Sequence, residues 1–139
     1  MEYTFLTLWL KEKGKSLIGR SVREVYCHNS TYIIELSGMQ FVISINGQNP
    51  LCFIAEGMKT GEGKDSPLAL VLTQHLVKGT IKKVENLEND RVVILTFDKE
   101  SFYGETSHYK LIIELMPRYE NLILTRKEGE NDIILWFCI

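Results

Sequence analysis

The chain has few of the residues that build disulfide frameworks and metal sites. Its three cysteines are odd in number and lie outside any C-x-x-C spacing: Cys27, Cys52 and Cys138. This pattern excludes a disulfide framework and a cysteine-rich zinc site, and it favours buried thiols. The three histidines offer no ligand spacing either, so no metal site and no cofactor is predicted.

Long hydrophobic runs and a strong charge of one sign are also missing. No apolar run approaches the roughly 18 residues that span a bilayer, and the N-terminus lacks the basic start and cleavage site of a signal peptide. The formal charge is −2, so any contact with RNA must be local. We expect one domain over residues 1–139, cytoplasmic and not bound to a membrane.

Recognised catalytic motifs are absent as well. The sequence has no Gly-x-Ser-x-Gly elbow, no His-Glu-x-x-His and no closely spaced carboxylate pair beside a histidine. The glycine-rich stretch 56–66 does not match a phosphate-binding loop, because Met58 occupies the first glycine position and Asp65 follows Lys64. We therefore predict a binding domain with no catalytic residues, not an enzyme.

Short β-branched runs separated by turn residues make up most of the chain. Apolar spacing of three and four residues predicts a helix over 2–16 and another over 67–78. Predicted strands cover 21–26, 31–36, 40–45, 51–55, 80–85, 91–97 and 133–137, with a polar loop at 98–106 and a hairpin over 107–126. This order favours an α+β fold, an antiparallel β-sandwich with an N-terminal helix and a central helix.

The ends of the central helix have their own signals. Ser66 before Pro67 predicts a side-chain cap followed by a residue with no amide proton, and Gly79 is a natural stop. His75 falls on the apolar stripe of this helix, where a hydrogen-bonded core or edge histidine is favoured over a metal ligand.

The hairpin over 107–126 contains an acidic residue that needs an explanation. Pro117 suits the second position of a type I turn because its ring fixes φ near the required value. Glu114 shares a largely apolar strand face with Ile112 and Met116, where an unpaired carboxylate is costly. Glu114 therefore needs a partner or an open groove.

The candidate binding residues are Asp90-Arg91 at a strand entrance and the region 114–121 around the turn. Asp-Arg pairs at strand ends commonly brace their own turn, so a structural role and a binding role are both open at this point.

Three segments, in this order, resemble the N-terminal domain of the NFACT family. These are the ribosome quality-control tailing factors, whose bacterial members carry older labels as fibronectin- or fibrinogen-binding proteins. The segments are Pro67 to Gly79 with His75-Leu76, then DRVVILTF from Asp90, and LIIELMPRYENLIL from Leu111. The likeness is specific in residues 90–124 and weaker over the rest.

The resemblance implies a function and a set of site residues. Full-length members of the family sit on a large ribosomal subunit that carries a stalled chain, and their N-terminal domain helps to hold tRNA during C-terminal tailing. The implied partners are thus tRNA and the large ribosomal subunit, and the implied RNA contacts are Asp90, Arg91, Glu114, Leu115, Met116, Arg118 and Asn121. Arg91 would meet a phosphate or stack on a base, Arg118 and Asn121 would shape the turn, and either arginine would hold Glu114.

The family is in turn similar in fold to the N-terminal domain of formamidopyrimidine-DNA glycosylases. Those enzymes use an N-terminal proline as nucleophile, and the first proline here is Pro50, so their activity is not implied. Thr73 and Gln74 replace an Arg-Lys pair usual in the family, which predicts fewer phosphate contacts.

Two other functions stay open. The domain could be a scaffold in which Asp90 and Glu114 brace the edge of the sandwich. It could also be a surface adhesin that binds fibronectin or fibrinogen, but the lack of a signal peptide argues against an adhesin. The apolar strand at the C-terminus predicts a domain cut from a longer protein.

Overall fold

A computed structural model describes residues 3–45, 49–57, 66–87 and 91–138. The described helices are α1 (Tyr3–Lys13), continued by a 3-10 turn (Gly14–Leu17), and α2 (Pro67–Leu76). The described strands are β1 (Val22–His28), β2 (Thr31–Leu36), β3 (Met39–Ser44), β4 (Leu51–Ala55), β5 (Thr80–Asn86), β6 (Val92–Glu100), β7 (Thr106–Glu114), β8 (Asn121–Glu128) and β9 (Asn131–Cys138).

The strands form two antiparallel meanders. One sheet has the order β1-β2-β3-β4 and the other β5-β6-β7-β8-β9. One continuous cluster of buried side chains draws on both sheets and both helices, which confirms the predicted α+β fold with two antiparallel sheets. The largest buried side chains include Phe41, Ile34, Phe97, Leu95, Leu6 and Leu72.

The predicted polar loop at 98–106 is wrong over most of its length. Strand β6 continues to Glu100 and β7 starts at Thr106, with Asp98 opposite His108 and Lys99 opposite Ser107. The polar residues extend the ladder because they lie beyond the core, where both faces of a strand can be polar. Only residues 101–105 form the connection.

The ends of α2 differ from the prediction in detail. The Ser66 hydroxyl makes no capping bond and lies 3.0 Å from the Tyr32 hydroxyl instead. The left-handed residue after the helix is Lys78 (φ 73), not Gly79. Gly79 is required for space, because a Cβ atom there would lie 2.9 Å from the carbonyl oxygen of Leu76.

The cysteine prediction is confirmed for two residues. Cys27 and Cys52 are free and buried. Burial raises the pKa of the Cys52 thiol to about 12, so that this thiol is protonated and unreactive at neutral pH.

Asp90, and residues 58–65 of the glycine-rich stretch, lie outside the described residues.

Candidate RNA-binding site

Six of the seven predicted RNA contacts lie at one end of the five-stranded sheet. At this end β6 begins, β7 ends and β8 begins, and Glu114 pairs with Val92 on one side and with Asn121 on the other. The amide of Leu115 donates to the carbonyl of Arg91 (2.8 Å). We call this region, Arg91 together with residues 114–121, the turn end. The seventh contact, Asp90, is not among the described residues.

The side chains of the turn end differ in burial. Arg118 is exposed, whereas Arg91, Glu114, Met116 and Asn121 are half-buried. Leu115 is fully buried and belongs to the core cluster. The Leu115 side chain thus faces the core and anchors the end of β7, and the part of this residue in RNA contact stays a prediction.

The turn between β7 and β8 is not the predicted type I turn. The amide of Tyr119 donates to the carbonyl of Met116 (2.9 Å), with Pro117 and Arg118 between them. Arg118 has φ 68, and a positive φ at the third turn position defines a type II turn. A non-glycine residue in this conformation costs about 1–2 kcal/mol.

Glu114 is the last residue of β7 and is half-buried at the sheet end. The sequence predicted a partner or an open groove for this carboxylate, and its pairing with Arg91 or Arg118 stays a prediction.

Two residues inside the candidate region 114–121 were not among the implied RNA contacts. Tyr119 is 77% exposed and stands at the fourth position of the turn. Glu120 has a carboxylate oxygen, Oε2, that is buried without a hydrogen-bond donor among the described residues. An aromatic residue between a proline turn and a strand start was the available signal for Tyr119, because turn residues lie at the surface.

The turn end combines the groups that single-stranded RNA recognition uses. Arginine guanidinium groups contact phosphates or stack on bases, and an exposed tyrosine offers a stacking face. The carboxylate of Glu114 can accept hydrogen bonds from the polar edge of a base, and the side-chain amide of Asn121 can both donate and accept them.

His75 has the structural role that the sequence favoured. Its Nδ1 lies 3.4 Å from the Tyr109 hydroxyl, with ring centroids 5.5 Å apart. Burial lowers the pKa of His75, and the charges of Arg126 and Lys99 lower it further. Within the described part of the chain, no group of His, Cys, Asp or Glu side chains is arranged to hold a metal ion.

The chain matches a known protein family and is similar in sequence to several known proteins. Residues 2–137 match the family described as NFACT N-terminal and middle domains. The chain is 34% identical over 66 residues to the "Rqc2 homolog RqcH" of Streptococcus pneumoniae strain R6, which covers 48% of this chain and 12% of that protein. It is 25% identical over 128 residues to the "Rqc2 homolog RqcH" of Bacillus subtilis, covering 88% of this chain and 22% of the relative. The chain thus spans less than a quarter of the length of these relatives.

Solved structures share the fold. The N-terminal domain of fibronectin-binding protein PavA from Streptococcus pneumoniae matches with a TM-score of 0.84 at 20% identity, over 96% of this chain and 52% of that one. The fibrinogen binding protein from Staphylococcus aureus matches with a TM-score of 0.77 at 21% identity, over 94% and 47%. At such identities the likeness concerns the fold alone.

Neither described helix is long and apolar enough to cross a membrane.

Proposed function

Because the chain belongs to the NFACT family, a ribosome quality control family, we propose that its turn end binds RNA and that the domain helps to hold tRNA on the large ribosomal subunit. The role is one of binding, without catalysis, and its setting is the cytoplasm. The likeness to formamidopyrimidine-DNA glycosylases stays a prediction about the fold.

One observation carries the proposal. The strand register and the backbone hydrogen bond from Leu115 to Arg91 bring Arg91 and Glu114 to the same sheet end. These two residues are 23 positions apart in the chain. Tyr119 extends from the adjoining turn, 77% exposed. A scaffold needs the strand pairing, but it gains little from an exposed tyrosine beside exposed and half-buried arginines.

Each side chain of the turn end then has a role. Arg91 and Arg118 contact phosphates, and Tyr119 stacks on an unpaired base. Glu114 and Asn121 read a base edge, and Met116 adds an apolar contact. Buried Leu115 keeps the segment attached to the core, and Asp90, outside the described residues, stays a predicted RNA contact.

The salt dependence of tRNA binding tests the arginine role. Arg91→Ala is expected to weaken tRNA binding by about 1–3 kcal/mol and to reduce the salt slope by about 1, without unfolding the domain. The matched control is Lys127→Ala, which removes one exposed positive charge near the other end of β8. Fluorescence anisotropy with labelled tRNA at several salt concentrations measures both variants.

A different result identifies the scaffold alternative. If Arg91→Ala lowers the melting temperature, and tRNA binding is undetectable even for the unmodified chain, Arg91 braces the sheet end and the proposal is wrong. If Lys127→Ala weakens binding as much as Arg91→Ala does, the contact is non-specific and the turn end is not the site.

A matched pair of tyrosines tests the stacking role. Tyr119→Ala should cost about 1–3 kcal/mol in binding of single-stranded RNA or tRNA, as expected for one base stacked on an aromatic ring. Tyr103→Ala is the control, since Tyr103 is 65% exposed in the loop 101–105 at the opposite end of β6 and β7. Equal losses for both variants would contradict the assignment.

The older labels point to a second function, binding of fibronectin or fibrinogen. They are the names of proteins that share the fold at 18–21% identity, and no feature of the described surface favours that function. Immobilised fibronectin and fibrinogen serve as a comparison in the same binding assay.

A further inference from the structure

The outer face of the five-stranded sheet carries an apolar row next to the turn end. Ile94 on β6 pairs with Ile112 on β7, and Ile112 pairs with Ile123 on β8. Because residues that pair directly across antiparallel strands point to the same side, the three side chains lie next to one another. At about 4.8 Å between neighbouring strands, they form a row roughly 10 Å across. We call this set the isoleucine row.

The isoleucine row faces away from the core. Successive residues of a strand point to opposite faces. The residues on either side of each isoleucine are fully buried members of the core: Val93, Leu95, Leu111, Ile113, Leu122 and Leu124. The isoleucines themselves are half-buried, and within the described part of the chain none of them packs against the core cluster. Truncation of one of them should therefore cost the fold less than truncation of a core residue.

Two of the predicted RNA contacts point the same way as the isoleucine row. Glu114 is two residues beyond Ile112 on β7, and Asn121 is two residues before Ile123 on β8. Two residues along a strand return to the same face, about 7 Å away. Glu114 and Asn121, which also pair with each other, therefore lie on the outer face directly beside the row. The sheet thus places a carboxylate and an amide at the margin of an apolar floor.

The apolar floor is small and has polar margins on its other sides. The next pairs along the strands are Thr96 with Lys110 and Lys110 with Thr125, and the Lys110 amine lies 3.4 Å from Oδ2 of Asp132. On the β5 side the row ends at Glu85. A floor of roughly 10 Å by 7 Å is far smaller than the ~800 Å² that each partner buries in a stable protein interface. Its size suits one planar ring system instead.

We propose that the isoleucine row is the floor of a nucleotide-binding subsite, on which an unpaired base of the bound RNA lies flat. A base has an apolar face and a polar edge, so it rests on the isoleucines and directs its edge to Glu114 and Asn121. The carboxylate accepts from the N–H groups of the base, and the amide both donates and accepts. This inference rests on the proposed function, because the base belongs to the RNA that the turn end binds.

A similar row on the four-stranded sheet provides a matched control. Ile33 on β2 is half-buried and pairs with Tyr26 and with Val42 on the outer face of that sheet. Beside this row the amide of Gln40 donates to Oε1 of Glu35 (3.1 Å), and Gln40 is only 6% exposed. The carboxylate and the amide are therefore engaged with each other there, and this second row is not expected to take a base.

Methyl NMR tests the subsite directly. In a chain labelled at its isoleucine δ1 methyl groups, titration with a short unstructured RNA oligonucleotide should shift the signals of Ile112 and Ile123, because a base above a methyl group shifts its resonance by the ring current. The signals of Ile113, which faces the core from the next position of β7, and of Ile33 should stay in place. Unshifted Ile112 and Ile123 signals at saturating RNA, or an equal shift of Ile33, would overturn the proposal.

A matched pair of substitutions measures the contribution of the floor to affinity. Ile112→Ala should weaken RNA binding about three- to tenfold, since it removes part of the apolar surface on which the base rests. Ile33→Ala removes the same side chain from the equivalent row and should leave RNA binding unchanged. Both variants should lose similar stability in urea denaturation, so unfolding does not explain a difference in affinity. Equal RNA affinities of the two variants would contradict the subsite.

The subsite and the proposed function can fail separately. If Arg91→Ala weakens tRNA binding while Ile112→Ala and the isoleucine methyl signals show no change, the turn end binds RNA without this subsite, and the present proposal is overturned. If the unmodified chain binds neither tRNA nor the oligonucleotide, both proposals are wrong.

Discussion

The two ends of the β6–β7 ladder each present an exposed aromatic side chain in a tight turn. Tyr119 lies between Arg118 and Glu120 in the chain, and Arg91 and Glu114 are at the same sheet end. Phe102 and Tyr103 lie at the other end, in the loop 101–105, which we call the tip. Their rings meet edge to face, with centroids 4.9 Å apart.

The ends also differ in their attachment to the core. The turn end includes Leu115, which is fully buried, whereas the tip places its largest side chain, Phe102, entirely in solvent. Truncation of Leu115 therefore affects folding, whereas truncation of Phe102 affects only the surface.

The largest expected effect follows from this difference. Leu115→Ala should lower the free energy of unfolding by about 2–5 kcal/mol, since it leaves a cavity in the core. Phe102→Ala should change it by less than about 0.5 kcal/mol. Urea denaturation followed by far-UV circular dichroism measures both, and comparable losses would remove the contrast between the ends.

Substitutions at positive φ in the two turns should change stability by smaller amounts and in opposite directions. Arg118 (φ 68) and Gly104 (φ 91) both have positive φ. Arg118→Gly should leave stability unchanged or raise it by up to about 1 kcal/mol while it weakens tRNA binding, and Gly104→Ala should cost about 1–2 kcal/mol. Denaturation and tRNA titration together check this, and a clear destabilisation by Arg118→Gly would disagree with the type II turn.

A surface hydrogen bond near the tip, which is an ion pair only when His108 is protonated, should contribute less. The Nδ1 of His108 lies 2.6 Å from Oδ1 of Asp98, with the two side chains 49% and 30% exposed. A double-mutant cycle with Asp98→Asn and His108→Gln should give a coupling of about 0.2–1 kcal/mol that decreases with salt. The longer Lys110–Asp132 pair, at 3.4 Å, is the comparison and should couple more weakly.

The smallest expected effect is a change in the pH dependence of stability. The pKa of His75 is lowered from 6.5 by burial and by the charges of Arg126 and Lys99. Below about pH 6.5 the unfolded chain therefore binds more protons than the folded one, and stability should fall as the pH is lowered.

The control for this slope is a second histidine. Between about pH 7.5 and pH 5.5, His75→Gln should lose stability less steeply than the unmodified chain, whereas His28→Gln, at an exposed position, should keep the steeper slope. Denaturation midpoints at four or five pH values measure the three slopes. Equal slopes for His75→Gln and the unmodified chain would contradict the lowered pKa.

Much of the fold was predictable because alternating apolar residues record which strand face is buried. The meander β1 to β4 and helix α2 match their predicted ranges to within two residues. The prediction failed where side chains no longer face the core. Polar Asp98 and His108 extend a ladder that their polarity hid, and the Ser66 hydroxyl bonds to Tyr32, 34 residues away, instead of capping its helix.

The sequence allowed most residues of the candidate site to be predicted, but not their positions relative to one another. The resemblance supplied Arg91, Glu114 and Asn121, and the register then brought them together. It could not supply the burial of Leu115 or the exposure of Tyr119, because both depend on how the end of β7 meets the core.

The sequence by itself determined the alternation of strands, the two helices and the membership in a family, since these follow from local periodicity and from motifs along the chain. Only the tertiary structure decided which charged and aromatic side chains share an end of the sheet. Strand pairing joins residues that are distant in the chain, and so it alone brings Arg91 and Glu114 to the end of the sheet where Tyr119 is exposed, away from Phe102 and Tyr103 at the other end.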